Sequence, residues 1–237
     1  MMEIKELHDP YLRKIIRKNS LAALIPVGSI EQHGPHLPIS TDSDIVYEIA
    51  KRVSKKTGCL LMPTINYGVS VEHSPFFNIS ITGSVMEKIL VDICISLWKN
   101  NVNTIIILNG HHGNQQSLRN IPKKVRSLSK RKARVLIFSY WNFMKSELDH
   151  AGFVETSIML AISKEVKMKL ARKGLITEKL SSQQKTKLRK LATRSFIDAT
   201  KIGIWGDPRK ATKRDGQKIL SDVVENFVRR VKVALQT

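Results

Sequence analysis

The chain has 237 residues, 42% of them hydrophobic, and carries 40 Lys and Arg against 20 Asp and Glu, a formal net charge of +20. That suffices for one sizeable core, so a single domain over residues 1–237 is expected. No run of about 18 uncharged apolar residues occurs, which argues against a membrane span, and the charged opening "MMEIKELHDPYLRKII" lacks the apolar centre of a secretory signal.

In chain order, "LAALIPVG" (21–28) reads as a buried strand. Residues 42–58 read as a helix, with Asp42 or Ser43 near its N-cap, Ile45, Ile49 and Val53 on one face, and Gly58 as its stop. Cys59 opens a second strand, 59–65. A helix over 83–101 follows and lines up Ile89, Ile93 and Leu97. "TIIILNG" (104–110) has the continuous apolar run of a central parallel strand. A helix over about 115–130, a strand at 133–141, and helices at 154–166 and 214–235 complete the pattern, while 167–213 is basic and mixed. Cys59 and Cys94 sit alone in apolar segments and read as buried hydrophobes without a disulfide, consistent with the cytoplasm.

This alternation predicts an α/β fold, with helices on both faces of a mostly parallel sheet. Sites in such sheets lie beyond the carboxyl ends of the strands. Three polar clusters fall there. "GSIEQHGPHLPISTD" (28–42) follows the first strand and holds Glu31, His33, His36 and Asp42. "NGHHGN" (109–114) puts His111 and His112 between Gly110 and Gly113. "ELDHAGFVETS" (147–157) brings Asp149, His150 and Glu155, and His73 in "SVEHS" is a possible neighbour. Mixed imidazole and carboxylate donors suit zinc, iron or manganese better than calcium or magnesium. A carboxylate shared by two ions is a common hydrolytic arrangement.

Taken together, "PVGSIEQHGPHLPISTD", "LNGHHGN", "SYWNF", "HAGFVETS" and "GDPRKAT" resemble the creatininase family of metal-dependent amidohydrolases, with the motifs in family order from about residue 20 to 235. The resemblance implies a three-layer α/β/α sandwich, often hexameric, and one or two divalent ions per chain. It implies Glu31 and His111 as ligands of one ion, His33 of a second, and Asp42 as the bridge. His150 then resembles the acid or base beside the substrate, and His73, His112 and Asn114 are expected to touch substrate.

Creatinine amidohydrolase has a glutamate ligand at the position of Gly113, so Glu155 is the candidate replacement and a second catalytic candidate. The glycine form is similar to the deformylase and peptidase branches. A further departure places Phe76, Phe77 and Asn78 where relatives carry phenylalanine–proline–glycine–threonine, and Phe153 stands where many have a polar residue.

The expected reaction is amide C–N hydrolysis with His150 protonating the leaving amine. The expected substrate is a formylamino-pyrimidine nucleotide of riboflavin and deazaflavin biosynthesis, a small and phosphorylated molecule. Creatinine ring opening and mycofactocin-type peptide cleavage are the alternatives. A reading of another class is a catalytically inactive module that binds RNA or a protein through the basic segments 123–134 and 185–194. These lack interleaved aromatics for base stacking, so nucleic acid is not the expected partner.

Overall fold

The computed structural model describes residues 2–18 and 21–236. Its sheet has five strands: β1 (Met2–Glu3), β2 (Ala22–Val27), β3 (Leu60–Leu61), β4 (Thr104–Asn109) and β5 (Arg134–Ser139). They run in the order β1-β3-β2-β4-β5, and every pairing is parallel. The helices are α1 (Asp9–Lys18), α2 (Thr41–Thr57), α3 (Gly83–Lys99), α4 (Gln115–Leu118), α5 (Ile121–Leu128), α6 (Phe153–Ile162), α7 (Ser182–Ala192), α8 (Phe196–Thr200) and α9 (Lys213–Gln236).

Side chains alternate across a strand, so the apolar runs of β2 and β4 feed two cores at once. Ala22, Leu24, Ile106 and Leu108 pack with Ile45 and Ile49 of α2, Ile158 of α6 and Phe227 of α9. Ala23, Ile25, Ile105 and Ile107 pack on the other face with Leu90 and Cys94 of α3 and Val125 of α5. The expected three-layer α/β architecture is therefore what forms. Cys59 and Cys94 are buried, free, and in different cores. Among the described residues no helix is long and apolar enough to cross a membrane.

Pro26 lies inside a central strand, where a missing N–H would normally break the ladder. Its carbonyl accepts from Ile65 N at 3.0 Å, on the β3 side, while Val27 O accepts from Gly110 N beyond the end of β4. Because a residue's N–H and C=O point to the same neighbour in a parallel strand, the missing donor faces the side where β3 has already ended, and the β2–β4 ladder stays whole.

Several boundaries differ from expectation. The strand expected at 59–65 is regular only at Leu60–Leu61; the chain breaks register around Pro63 and rejoins β2 at Ile65 through an isolated bridge to Val27. The helix expected over 115–130 is two pieces, Gln115–Leu118 and Ile121–Leu128, with Pro122 in the first turn of the second. The helix expected at 154–166 ends at Ile162, with Ser163 extended. The mixed region 167–213 contains α7, opened by a Ser181/Gln184 capping box, and the short α8.

Candidate metal centre

The carboxyl ends of β2, β4 and β5 converge on one buried cluster. Glu31 and His33 lie just past β2, Asp42 in the first turn of α2, His111 just past β4, and Glu155 in the first turn of α6. All five are at most 4% exposed. Donor atoms from Glu31, Asp42 and His111 lie within 4.8 Å of one another, as do those from His33, Asp42 and Glu155. A third group, Glu31, His33 and His150, meets the same limit. Asp42 belongs to two of these groups, one through each neighbouring loop: its Oδ1 is 3.3 Å from His33 Nε2 and its Oδ2 is 3.0 Å from His111 Nδ1.

The donor chemistry fits divalent cations. Glu31 Oε1, His33 Nε2 and Asp42 Oδ2 are fully buried yet make no hydrogen bond, although each has polar atoms close by. A buried polar atom left unpaired is costly, and three on neighbouring ligand-type side chains are donors that cations would satisfy. The titration behaviour agrees. Burial pushes the His33 imidazole down, but Asp42, Glu155 and Glu31 outweigh it and hold it up at about 10. His111 is likewise held up at about 10, by Glu31 and Asp42 against its burial. Glu155 is pushed up to about 8, first by burial and then, with His33 opposing, by Asp42 and Asp149. The pocket thus concentrates negative charge that demands protons or a cation.

A set of positioning contacts holds these donors. Asp149 accepts from Val154 N at 2.8 Å and Glu155 N at 3.3 Å, capping α6 and fixing Glu155. Glu155 Oε2 accepts from Ala151 N at 2.7 Å, and the buried Tyr140 hydroxyl donates to its Oε1 at 3.5 Å. Gly152 allows this: a Cβ there would sit 2.6 Å from Asp149 Cγ and 2.7 Å from the Trp205 carbonyl oxygen. His150 is tied by backbone to Trp205, N to O at 3.0 Å and O to N at 2.8 Å. Its Nε2 lies between two Gln32 groups, 3.0 Å from the carbonyl oxygen, which accepts, and 3.1 Å from the side-chain amide nitrogen, which donates, so either neutral tautomer finds a partner there. Nδ1 faces Glu31 Oε1 at 3.9 Å, and the ring stacks on His33 with centroids 4.2 Å apart. Burial, then His33 and His73, push His150 well below its ordinary value.

The remaining expected site residues separate. His73 joins the cluster: its Nε2 is 3.1 Å from Glu31 Oε1, and its Nδ1 accepts from Gln32 Nε2 at 3.0 Å. His112 is exposed on the cleft wall beside Trp141, centroids 6.2 Å apart. Asn114 is a correction. It is fully buried and ties loops together, accepting from Val69 N at 2.9 Å and donating to Gly28 O at 3.0 Å, so it positions the site and does not line the cleft. His36 braces its loop on α6 through Thr156 Oγ1 at 2.9 Å and is pushed down to about 4 by burial and His33. Of the segment 72–82 only Glu72 and His73 reach the cleft, and Phe153 packs against the core.

Sequence reading missed Gln32, Glu72, Arg189, Thr193 and Phe196. Glu72 stands 3.8 Å from His111 Nε2. At Gly113 a Cβ would overlap the Val69 carbonyl oxygen and sit 2.5 Å from His111 Nε2 and 2.6 Å from Glu72 Oε1. No side chain fits there, so a carboxylate has to come from elsewhere. Gln32 and Glu72 carry a signal in hindsight, since each adjoins an expected ligand. Arg189, Thr193 and Phe196 come from the mixed region and carry none.

Above the cluster opens a cleft of about 500 Å³, walled by Trp141, Leu148, Phe196 and Trp205 among others.

Comparison with known proteins gives the lineage. The family description "Creatininase: Creatinine amidohydrolase" matches residues 5–231. The mycofactocin precursor peptide peptidase of Mycobacterium ulcerans is 33% identical over 224 residues, 88% of this chain and 83% of the relative. The 2-amino-5-formylamino-6-ribosylaminopyrimidin-4(3H)-one 5'-monophosphate deformylase of Methanothermobacter marburgensis is 27% identical over 230 residues, 90% of each chain. A solved creatininase variant of zinc–zinc type shares the fold at a TM-score of 0.84 and 20% identity, over 98% of this chain and 97% of that one. With the family description spanning nearly the whole sequence, the chain belongs to the creatininase family of metal-dependent amidohydrolases.

Proposed function

We propose that this protein hydrolyses an amide C–N bond at a centre of two divalent ions, one held by Glu31, Asp42 and His111 and the other by His33, Asp42 and Glu155. The observation that carries this reading is the shared Asp42 between two buried three-donor groups, with unpaired donor atoms on Glu31, His33 and Asp42. When bound, such ions supply an activated water and polarise the scissile carbonyl. Zinc, manganese and iron match the donor set, and the zinc–zinc form of a creatininase supports two sites.

His150 moves the proton. The buried ring rests neutral, with Nδ1 turned toward Glu31. It accepts a proton as the carbonyl is attacked, then delivers it to the leaving nitrogen, filling in turn the base and acid roles that the sequence had left open. Gln32 and the Trp205 backbone hold its orientation. Glu155 serves as ligand in this scheme, standing in for the carboxylate that Gly113 excludes.

For the substrate, the peptidase relative supports a peptide amide, at 33% identity against 27% for the deformylase. Deformylation of a phosphorylated formylamino-pyrimidine remains the second reading, supported by that deformylase and by a guanidinium, Arg189, in the cleft wall. Creatinine is disfavoured by the crowded Gly113. Exposed Tyr67, Val71, Phe77 and Ile79 beside the site support a homo-oligomer, which light scattering tests. The function test is a panel on zinc- or manganese-loaded protein: peptide cleavage by mass spectrometry, formate release, and creatinine ring opening. Turnover of any member that is lost in Asp42→Asn supports amide hydrolysis. Metal-loaded protein inert on all three, but binding RNA tightly at physiological salt, would favour the module reading.

A further inference from the structure

The chain's positive charge is kept out of its cleft, with one exception. Of 40 Lys and Arg residues, only Arg189 lines the cleft among the described residues, against six carboxylates: Glu31, Asp42, Glu72, Glu147, Asp149 and Glu155. The wall that carries it runs inward from α7. Phe196 lies with its ring 4.5 Å from His73 and 4.6 Å from His150, directly over the proposed reacting centre. Thr193 and Ala192 line the next stretch, and Arg189, a helical turn before Thr193 and so on the same face, lines the cleft beyond them. His112 and Trp141 line the cleft as well.

Arg189 is also available. Among the described residues its ion-pair partner is Glu147, at 3.7 Å, and both side chains are well exposed, 65% and 78%. A pair so long and so wet contributes little, so an incoming oxyanion displaces it readily. A guanidinium offers a planar fork that matches carboxylate or phosphate oxygens two at a time.

We propose that Arg189 is the recognition point for one anionic group, a carboxylate or a phosphate, on the part of the substrate that extends from the scissile amide toward the outer cleft. This rests on the amide-hydrolysis reading and narrows it: the substrate carries a single oxyanion, set apart from the reacting bond by the apolar Phe196 wall. Polyanions are disfavoured, because repeated phosphates would meet the ring of carboxylates.

The test uses metal-loaded, full-length protein and two matched pairs of substrates: a peptide with a free or an amidated carboxyl terminus, and the formylamino-pyrimidine as 5'-phosphate or as nucleoside. The reading is the ratio of kcat/KM for the anionic over the neutral member. The wild type should favour the anionic member of one pair by about tenfold or more, the range for a hydrogen-bonded charge. Arg189→Ala should bring that ratio toward one. Arg189→Lys should keep part of it, and Glu147→Gln should raise it. The pair that responds identifies the source as carboxylate or phosphate. A ratio near one in the wild type, or one unchanged in Arg189→Ala, overturns the proposal.

If no pair is turned over, the amide-hydrolysis reading fails separately. The subsite is then read by tryptophan fluorescence of metal-free protein titrated with millimolar inorganic phosphate. Saturable quenching in the wild type that disappears in Arg189→Ala supports the subsite, and its absence in the wild type refutes it.

Discussion

Gly216 couples the stability of the fold to the candidate centre. It lies in the first turns of α9, buried against α6. A Cβ built there would overlap the carbonyl of Ser157 and sit 2.9 Å from Ile158 N, so the obstacle is backbone that cannot rotate away. Gly216→Ala therefore has to push α9 off α6. A gap of about 0.5–1 Å already forfeits a quarter to a half of each dispersion contact, and Ile158, Leu220, Val224 and Phe227 all belong to the core that these helices share.

Overpacking against such a barrier costs about 3 kcal/mol, at the upper end of the usual range. The Gly-to-Ala gain in a helix returns about 1 kcal/mol. The net loss of about 2 kcal/mol corresponds to a fall in Tm of about 4–8 °C for a chain of this size. Because Glu155 is carried on the first turn of α6, the same substitution should weaken the ion held by His33, Asp42 and Glu155 more than the one held by Glu31, Asp42 and His111. Urea unfolding of metal-free protein, followed by metal titration, reads both effects. An unchanged or raised urea midpoint would refute the close approach. Gly58→Ala is the control: its cost is the positive φ of 76° at the end of α2, with open space around the Cβ, and it should leave metal binding alone.

Asp42→Asn should abolish stoichiometric binding of both ions, whereas Glu155→Gln should spare one; elemental analysis after dialysis decides, and equal retention in both variants would sink the shared-ligand scheme. His150→Ala should retain its metal and lose about 10²–10⁴-fold in kcat; wild-type turnover would remove His150 from the reaction. Without metal, His33 and His111 are held up at about 10 and Glu155 at about 8, so above about pH 6.5, where the neutral His36 and His150 no longer oppose them, the native state binds more protons than the unfolded chain up to about pH 10. The stability from the two histidines is complete below their unfolded pKa near 6.5 and disappears as pH rises through about 10. Metal-free protein should therefore lose stability across that window, and metal binding at pH 7 should release about two to three protons; calorimetry in two buffers of different ionisation enthalpy would show no buffer dependence if this is wrong. Burial pushes the Cys94 thiol up to about 12 and raises Cys59, so neither should react with a thiol reagent until urea unfolds the chain.

The sequence by itself determined the layers and the chemistry. Continuous apolar runs at 22–27 and 104–109 can be buried on both faces only in the centre of a parallel sheet. Once the sheet is parallel, its connecting loops must place Glu31, His33, Asp42, His111 and Glu155 at one edge. Donor types and their order were legible because each lies between the carboxyl end of a strand and the first turn of the helix that follows it.

Tertiary structure decided what depends on distant segments meeting. The room at Gly113 is set by Val69 and Glu72, and the burial of Asn114 by Gly28 and Val69; neither can be read from "NGHHGN" alone. The low proton affinity of His150 comes from burial beside His33 and His73, which are remote in the chain. The wall of Phe196, Thr193 and Arg189 belongs to a region whose polar, basic pattern shows no core-facing period, because its helices pack over a cleft and solvent rather than into the core. Such positions leave little mark on local hydrophobicity, so only the folded chain reveals them.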